Sequence, residues 1–166
     1  MAMGTTDIIA LENRTMEIDM LLERFGNDTG LGRLALDAAN ACTFLVDEMK
    51  VSFLHVPEGG RLLVFAEVGE LPEDGRSELL LAALRANYLF RGTSGATIAV
   101  LPDSPTLFLN RSLSLDDLSY EEFVQILGDF ADTLSEWKRM LADYRPDISP
   151  TVPADAEEVS FKEIGI

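Results

Sequence analysis

The sequence has few of the side chains on which most catalytic and metal sites depend. Its 166 residues include one histidine, one cysteine and one tryptophan. The single cysteine, Cys42, excludes an intramolecular disulfide and is typical of a reducing compartment. One histidine and one cysteine cannot form a usual zinc site without two or more carboxylates, so we expect no metal and no cofactor.

Basic residues are also scarce. Lysine and arginine number 13 against 29 acids, which gives a formal net charge of −16. A surface of this charge repels phosphates, so nucleic acids and anionic membranes are poor partners. The charge instead favours solubility and a basic or apolar partner.

Long apolar runs are absent as well. The longest runs in the chain are far too short to cross a bilayer. The opening residues, MAMGTTDIIALENR, have neither the basic region nor the apolar run of a signal peptide. We therefore expect no membrane insertion. Hydrophobic residues still make up 47% of the chain, which is enough for one core.

The pattern of the remaining residues predicts one α+β domain over residues 14–144. A flexible leader is expected at 1–13 and an acidic, proline-containing tail at 145–166. The first helix is predicted to begin at a Thr15 cap and to end at Gly26–Asn27. Its apolar face follows helical spacing and consists of Ile18, Leu21, Leu22 and Phe25.

Five strands are predicted after this helix. Three lie at 41–47, 50–56 and 61–68, and two more at 96–101 and 106–110. The run at 61–68 is almost continuously apolar, which predicts a central strand buried on both faces. Short connections favour antiparallel pairing of neighbours.

Two further helices complete the predicted order, α-β-β-β-α-β-β-α. The helix at 79–90 has an apolar stripe, and its alanines form a flat second face on which another protomer can approach. That stripe consists of Leu80, Leu81, Leu84 and Tyr88, and the flat face consists of Ala82, Ala83 and Ala86. The last helix opens with Ser119 and Glu122, which have the spacing of a capping box. Large apolar residues then recur every three or four positions as far as Leu141.

No motif in the chain points to catalysis. Cys42 and His55 would be a nucleophile and a base, but both lie in apolar strand patterns that favour burial. The glycine turn at 92–95 lacks the lysine of a phosphate loop and precedes a strand. The paired acids at 116–117 and 121–122 fall where a helix begins, which favours acids anyway. We therefore predict that the protein is not an enzyme.

Four segments together resemble the class I type III secretion chaperones, the Tir-chaperone family. They are MLLERFGNDTGLGRLALD, CTFLVDEMKVSFLHV, the run from LLVFAEVGELP to LLLAALRANYLFRGTSGATIAVLP, and LSLDDLSYEEFVQILGDFADTLSEWKRML. The resemblance covers residues 14–142, and its order of packing and turn residues carries more information than any single motif. The tail after Tyr144 departs from the family pattern.

The resemblance implies a bacterial cytoplasmic homodimer. Such a dimer binds the non-globular N-terminal segment of a secreted effector, the chaperone-binding segment, and keeps it soluble and secretion-competent without nucleotide. An alternative is a chaperone-like adaptor or regulator that binds another bacterial protein outside effector secretion. Recovery of a secreted protein's N-terminal segment with the chain would favour the first function.

Apolar pockets and an edge strand would bind such a segment. The residues predicted to contact the effector are Met16, Met20, Phe44, Val46, Phe53, Leu54, Leu63 and Phe65. The residues predicted to form the dimer interface are Leu80, Ala83, Leu84, Asn87 and Tyr88. Each of the effector-contact residues is also a residue type commonly found in a core.

The tail carries a second hypothesis. Residues 143–166 contain six acids and two bases, which is typical of a solvated acidic tail. The ending EEVSFKEIGI, however, alternates Val159 and Phe161 with Ser160 and Lys162, as a strand does. The tail is therefore expected either to remain in solvent or to dock on a sheet edge and mimic the effector.

Overall fold

The computed structural model describes residues 5–116 and 118–146, and within them the side chains of all residues except 5–16 and 58. Its helices are α1 (Thr5–Thr29), α2 (Arg76–Asn87) and α3 (Tyr120–Asp143). Its strands are β1 (Ala41–Val46), β2 (Met49–Val56), β3 (Arg61–Glu70), β4 (Thr97–Val100) and β5 (Thr106–Ser114). The predicted element order and the α+β class with five strands are confirmed.

The five strands form one antiparallel sheet in the order β1-β2-β3-β5-β4, so β1 and β4 are its edges. A two-residue turn joins β1 to β2, and both of its residues, Asp47 and Glu48, have positive φ. This is the type I′ geometry that matches the twist of paired strands. A bulge between Glu67 and Gly69 shifts the pairing of β3 with β5.

The helices α1 and α3 cover one face of the sheet, which we call the inner face. Phe25 of α1 and Phe123 of α3 meet with ring centroids 5.6 Å apart. Phe25 also contacts Phe44 of β1 at 5.9 Å, and Phe123 contacts Phe53 of β2 at 5.9 Å. These four edge-on and tilted rings connect both helices to the first two strands.

The third helix follows its sequence pattern closely. Ser119 accepts a hydrogen bond from the Glu122 backbone, and the Glu122 carboxylate accepts one from the Ser119 backbone, so the predicted capping box is present. The Ser119 hydroxyl also donates to that carboxylate at 2.6 Å, and this bond, followed by the one from the Ser119 backbone, lowers the pKa of the Glu122 carboxyl. Further along, Trp137 is fully buried and its Nε1 donates to the Gly92 carbonyl at 2.8 Å. That bond ties α3 to the turn before β4.

The prediction for the bounds of the first helix is wrong at both ends. Helix α1 begins at Thr5 and not at the predicted Thr15 cap, so residues 5–13 are already helical. No proline or glycine in that stretch stops a helix. Gly26 does not end α1 but lies inside it. Beyond the helix, the chain returns close enough for the Gly32 amide to donate to the Gly26 carbonyl at 3.1 Å. A side chain at position 26 would collide with the Gly32 carbonyl.

The third strand is central, as predicted, but only one of its faces is covered by helices. Leu62, Val64 and Ala66 are buried on the inner face. Leu63 and Phe65 point to the other face, the outer face, and stay half-buried. The apolar run of this strand thus reflects one core face and one face that the described residues leave partly open to solvent.

The two faces of the second helix are the reverse of the prediction. The three alanines are buried, with at most 5% of each exposed, and pack inside the protomer with Leu79. They allow α2 to approach β4 closely, where the Asn87 amide donates to the Ile98 carbonyl and accepts from the Ile98 amide. Of the predicted stripe, Leu81, Leu84 and Tyr88 point to solvent and Leu80 is half-buried.

Candidate functional site

Among the described residues, no strand pairs with the outer edge of β1. Val46 and Met49 flank the two-residue turn and exchange hydrogen bonds across the hairpin, so alternate residues of β1 turn their backbone groups toward β2. The backbone groups of Thr43 and Leu45 therefore point away from the sheet. The same alternation turns the Ala41 carbonyl outward, where it accepts from the Asp37 amide at 2.8 Å. Thr43 and Leu45 are thus positioned to pair with an added strand.

A cleft opens on the inner face beneath this edge. Its volume is about 220 Å³, and its walls come from the end of α1, the strands β1 and β2, and the first half of α3. A cavity of ~150 Å³ is enough for a benzene ring in a protein interior, so this one has room for an aromatic or large aliphatic side chain. The walls are almost wholly apolar and consist of Phe25, Thr29, Phe44, Val46, Val51, Val124, Leu127, Gly128, Phe130 and Ala131.

The gap on the α3 side arises from small residues. Gly128 lies in mid-helix and is exposed, and a Cβ built there meets nothing within 4 Å. Ala131 lies three residues on, and Val124 at the rim is 37% exposed. A helix with larger residues at these positions would close the cleft.

The edge and the cleft form one continuous site. A strand added beside β1 points every second side chain to the inner face. Those side chains would lie next to Phe44 and Val46, which line the cleft. The site can hold an extended chain by backbone hydrogen bonds and select it by an apolar anchor.

The structure separates the residues predicted to contact an effector. Phe44 and Val46 line the cleft, whereas Phe53 is 0% exposed and belongs to the core. Met20 is 56% exposed on α1, outside the cleft lining. The half-buried residues of the outer face are Leu54, Leu63 and Phe65. The Met16 side chain lies outside the described residues.

Sequence reasoning missed most of the cleft because its lining comes from helices. Leu127 and Phe130 belong to the apolar stripe of α3, and the spacing of that stripe does not show which of its members border a cleft. Gly128 was the available signal, since a glycine in the middle of a helix costs about 1 kcal/mol relative to alanine. A position that tolerates this cost has a packing or functional reason.

A second candidate surface lies on α2 and the turn after it. Leu84 is 67% exposed and Tyr88 is 56% exposed. The next two residues, Leu89 and Phe90, are each 50% exposed and have φ values of 52° and 56°. Left-handed backbone is costly for bulky residues and persists only where the surroundings enforce it. We call the surface formed by Leu81, Leu84, Tyr88, Leu89 and Phe90 the α2 face.

The predicted dimer residues are only partly on that face. Leu84 and Tyr88 are exposed on it, and Leu80 is half-buried. Ala83 is 5% exposed inside its own protomer, and the Asn87 side chain is bonded to the backbone of β4. Ala83 and Asn87 therefore help to hold α2 against its own protomer, and their place in a dimer interface stays a prediction.

The residues considered for chemistry are structural in this fold. Cys42 and His55 lie on neighbouring strands and are 7% and 2% exposed. Burial raises the pKa of the Cys42 thiol, which disfavours the thiolate that a nucleophile needs. Among the described residues no group of histidine, cysteine, aspartate or glutamate has the arrangement of a metal site. In the same part of the chain, no helix is both long and apolar enough to cross a bilayer.

Three helices on a five-stranded antiparallel sheet, with a free edge strand above an apolar cleft, define a class of protein. It is the fold of the class I type III secretion chaperones. Residues 20–138 match the model of the Tir chaperone protein (CesT) family, and the chain belongs to that family.

Curated relatives support this assignment. The chain is 27% identical over 104 residues to the Tir chaperone of Citrobacter freundii and 26% identical to that of Escherichia coli O157:H7. Each match covers 63% of this chain and 66% of the relative. The chain therefore spans just under two thirds of the length of these relatives.

Solved structures agree on the fold. A chain of the ExsC–ExsE complex superposes with a TM-score of 0.66 at 25% identity, over 76% of this chain and 95% of that one. A chain of the HopA1–SchA chaperone–effector complex gives 0.62 at 15% identity, over 83% and 99%. One from the ExoU–SpcU complex of Pseudomonas aeruginosa gives 0.59 at 18% identity, over 76% and 99%.

Proposed function

We propose that the protein is a bacterial cytoplasmic chaperone that binds the non-globular N-terminal segment of a type III secretion effector as a homodimer. It keeps that segment extended and soluble, without nucleotide and without catalysis. The observation that carries the proposal is the apolar cleft directly beneath the free edge of β1. The neighbouring folds include a chaperone–effector complex, which supports the same function for this chain.

The energetics of the site suit an unfolded client. Ordering a disordered segment costs roughly 2–5 kcal/mol of the gross interaction energy. One large apolar side chain buried in the cleft contributes roughly 1.5–3 kcal/mol. Backbone hydrogen bonds to Thr43 and Leu45 add to this and are independent of the client's sequence. Binding would therefore require an extended backbone and an anchor, but no particular motif.

A long client segment would contact more than the cleft. The outer face exposes part of Leu54, Leu63 and Phe65, and β2 and β3 align Leu54 opposite Leu63. A chain that passes the β1 edge can continue across these side chains. We propose this face, with Met16 and Met20 of α1, as a secondary contact area.

The α2 face supports the dimer. It gathers five large apolar side chains that are each 47% or more exposed. Exposed apolar patches of this kind on a soluble protein commonly mark an interface. We propose that a second copy covers it, which would leave the β1 edges of both protomers free for the client.

The test is a variant that fills the cleft without touching the core. Gly128→Leu places a side chain where the backbone has open space, so the fold should be retained. The probe is the N-terminal segment of a secreted protein recovered bound to this chain, and its affinity is measured by calorimetry. We expect a loss of about 10- to 100-fold, which corresponds to one buried apolar anchor.

The matched control is Ser135→Leu, two turns further along the same helix. Ser135 is exposed and does not line the cleft, so the affinity should be unchanged. Equal affinities for Gly128→Leu and the unaltered chain would show that the cleft is not the binding site. Equal losses in both variants would point to a general effect of added apolar surface.

A further inference from the structure

The tail after Pro146 is long enough to reach the cleft of its own protomer. Tyr144 fixes its starting point, since the Tyr144 hydroxyl donates to the Gly75 carbonyl at 3.4 Å. From there back to Gly128 the helix rises by about 24 Å at 1.5 Å per residue. The 12 residues from 147 to 158 can span up to ~40 Å when extended. Residues 159–166 can therefore lie along β1 of the same protomer.

The sequence at the end of the tail matches the two sides of the β1 edge. The inner side of that edge is the apolar cleft and its outer side is solvent. In the tail, Val159 and Phe161 alternate with Ser160 and Lys162. A strand of this pattern directs its apolar side chains to one side and its polar ones to the other. Side chains two residues apart along a strand are ~6.6 Å apart, which is also the spacing of Phe44 and Val46.

We infer that residues 159–162 of the tail pair with the β1 edge of their own protomer and place Phe161 in the cleft. The tail then occupies the site proposed above for the client, and the client must displace it. This inference rests on the proposed function for its biological meaning but not for its geometry. It adds regulation, because the tail and the client compete for one site. The apparent affinity for the client is then the intrinsic affinity multiplied by the fraction of time that the site is open.

A covered edge also protects the chain itself. A free strand edge next to an apolar cleft is a template for aggregation. The tail would cover that edge whenever no client is bound. The excess of acids in the tail opposes pairing between copies, because like charges repel.

The test compares amide hydrogen exchange in the full chain with that in a Phe161→Asp variant. The readout is the exchange of the outward-pointing β1 amides, those of Thr43 and Leu45, in the absence of any client. We expect exchange at the β1 edge to be about tenfold faster in Phe161→Asp, because the edge amides lose their bonding partner. Gly128→Leu fills the cleft from the other side and should accelerate the same amides.

The matched control is Ser160→Asp, which adds the same charge one residue away on the polar side. It should leave β1 exchange unchanged. Equal exchange in Phe161→Asp and the unaltered chain would overturn the inference, as would equal acceleration by Ser160→Asp. Protection that rises with protein concentration would also overturn it, because the tail of a neighbour would then be the occupant.

Client binding separates this inference from the proposed function. If both hold, the Phe161→Asp variant binds the client segment more tightly. The gain in affinity should be about the factor by which the substitution accelerates β1 exchange. If Gly128→Leu weakens client binding but β1 exchange is the same in Phe161→Asp and in the unaltered chain, only the inference about the tail fails. If exchange shows the tail in the cleft and Gly128→Leu leaves client binding intact, only the proposed client site fails.

Discussion

Gly128 lies in the middle of α3, where a glycine costs about 1 kcal/mol relative to alanine. A Cβ at this position meets nothing within 4 Å, so no steric reason excludes a side chain. Gly26 is the contrasting case, since it is buried and its missing side chain makes room for the Gly32 carbonyl. One helical glycine thus shapes the cleft, and the other allows the chain to turn back.

These two glycines give a prediction of opposite sign. Gly128→Ala should raise the free energy of unfolding by about 0.5–1 kcal/mol, because alanine has less backbone entropy to lose in a helix. Gly26→Ala should lower it, because the new methyl group collides with backbone. Urea titration followed by circular dichroism measures both. Changes of the same sign in the two variants would contradict this assignment of the glycines.

The roles of individual residues could be predicted where contacts between near neighbours in the sequence determine the structure. The Ser119–Glu122 capping box follows from spacing alone and is present. Whether an apolar residue faces the core, a cleft or a partner depends on how the elements meet. Phe44 and Phe53 have the same strand pattern, yet one lines the cleft and the other is enclosed. Sequence periodicity cannot separate two residues that point to the same face.

At the scale of the elements, the α2 face is the strongest indication of a second copy. A helix that buried its leucines would hide this surface, but α2 packs its alanines instead. The close approach that alanine permits lets Asn87 bond to the backbone of β4. Leu81 and Leu84 are then left on the solvent side.

Leu84→Arg should therefore yield monomers. Leu84 is 67% exposed within the protomer, so the substitution should not disturb the fold, while a charge at the centre of an apolar interface is costly. Light scattering coupled to size exclusion measures the mass. Ser135→Arg on the exposed side of α3 is the control and should stay dimeric. A dimeric Leu84→Arg protein would move the interface away from α2.

The order and type of the elements could be predicted, and two features could not. The apolar patterns of β1, β2 and β3 and the stripe of α3 predicted the correct strands and helix. The start of α1 was missed because Thr15 also has the character of a helix cap, and the sequence does not show which candidate is used. The orientation of α2 was missed because a leucine stripe and an alanine stripe are both plausible inner faces. Contact with β4 decides between them, and it is a tertiary property.

At the scale of the whole molecule, the net charge of −16 and the apolar surfaces serve different purposes. The charge keeps a protein with a free strand edge and an exposed helix face soluble. Among the described residues, apolar surface lies in the cleft, on the outer face of the sheet and on the α2 face, and Met20 and Leu101 are exposed as well. The division of the chain into 1–13, 14–144 and 145–166 stays a prediction, since residues 147–166 lie outside the described part of the chain.

The most direct test of the client site is a cross-link from the cleft to a bound segment. A photoreactive p-benzoylphenylalanine replaces Val124 at the cleft rim, or Ser135 as the control, in the full chain co-expressed with the N-terminal segment of a secreted protein recovered with it. The account predicts that irradiation joins the segment to the chain from position 124 and not from position 135. A complex that cross-links from position 135 and not from 124, or the absence of any complex, would contradict it.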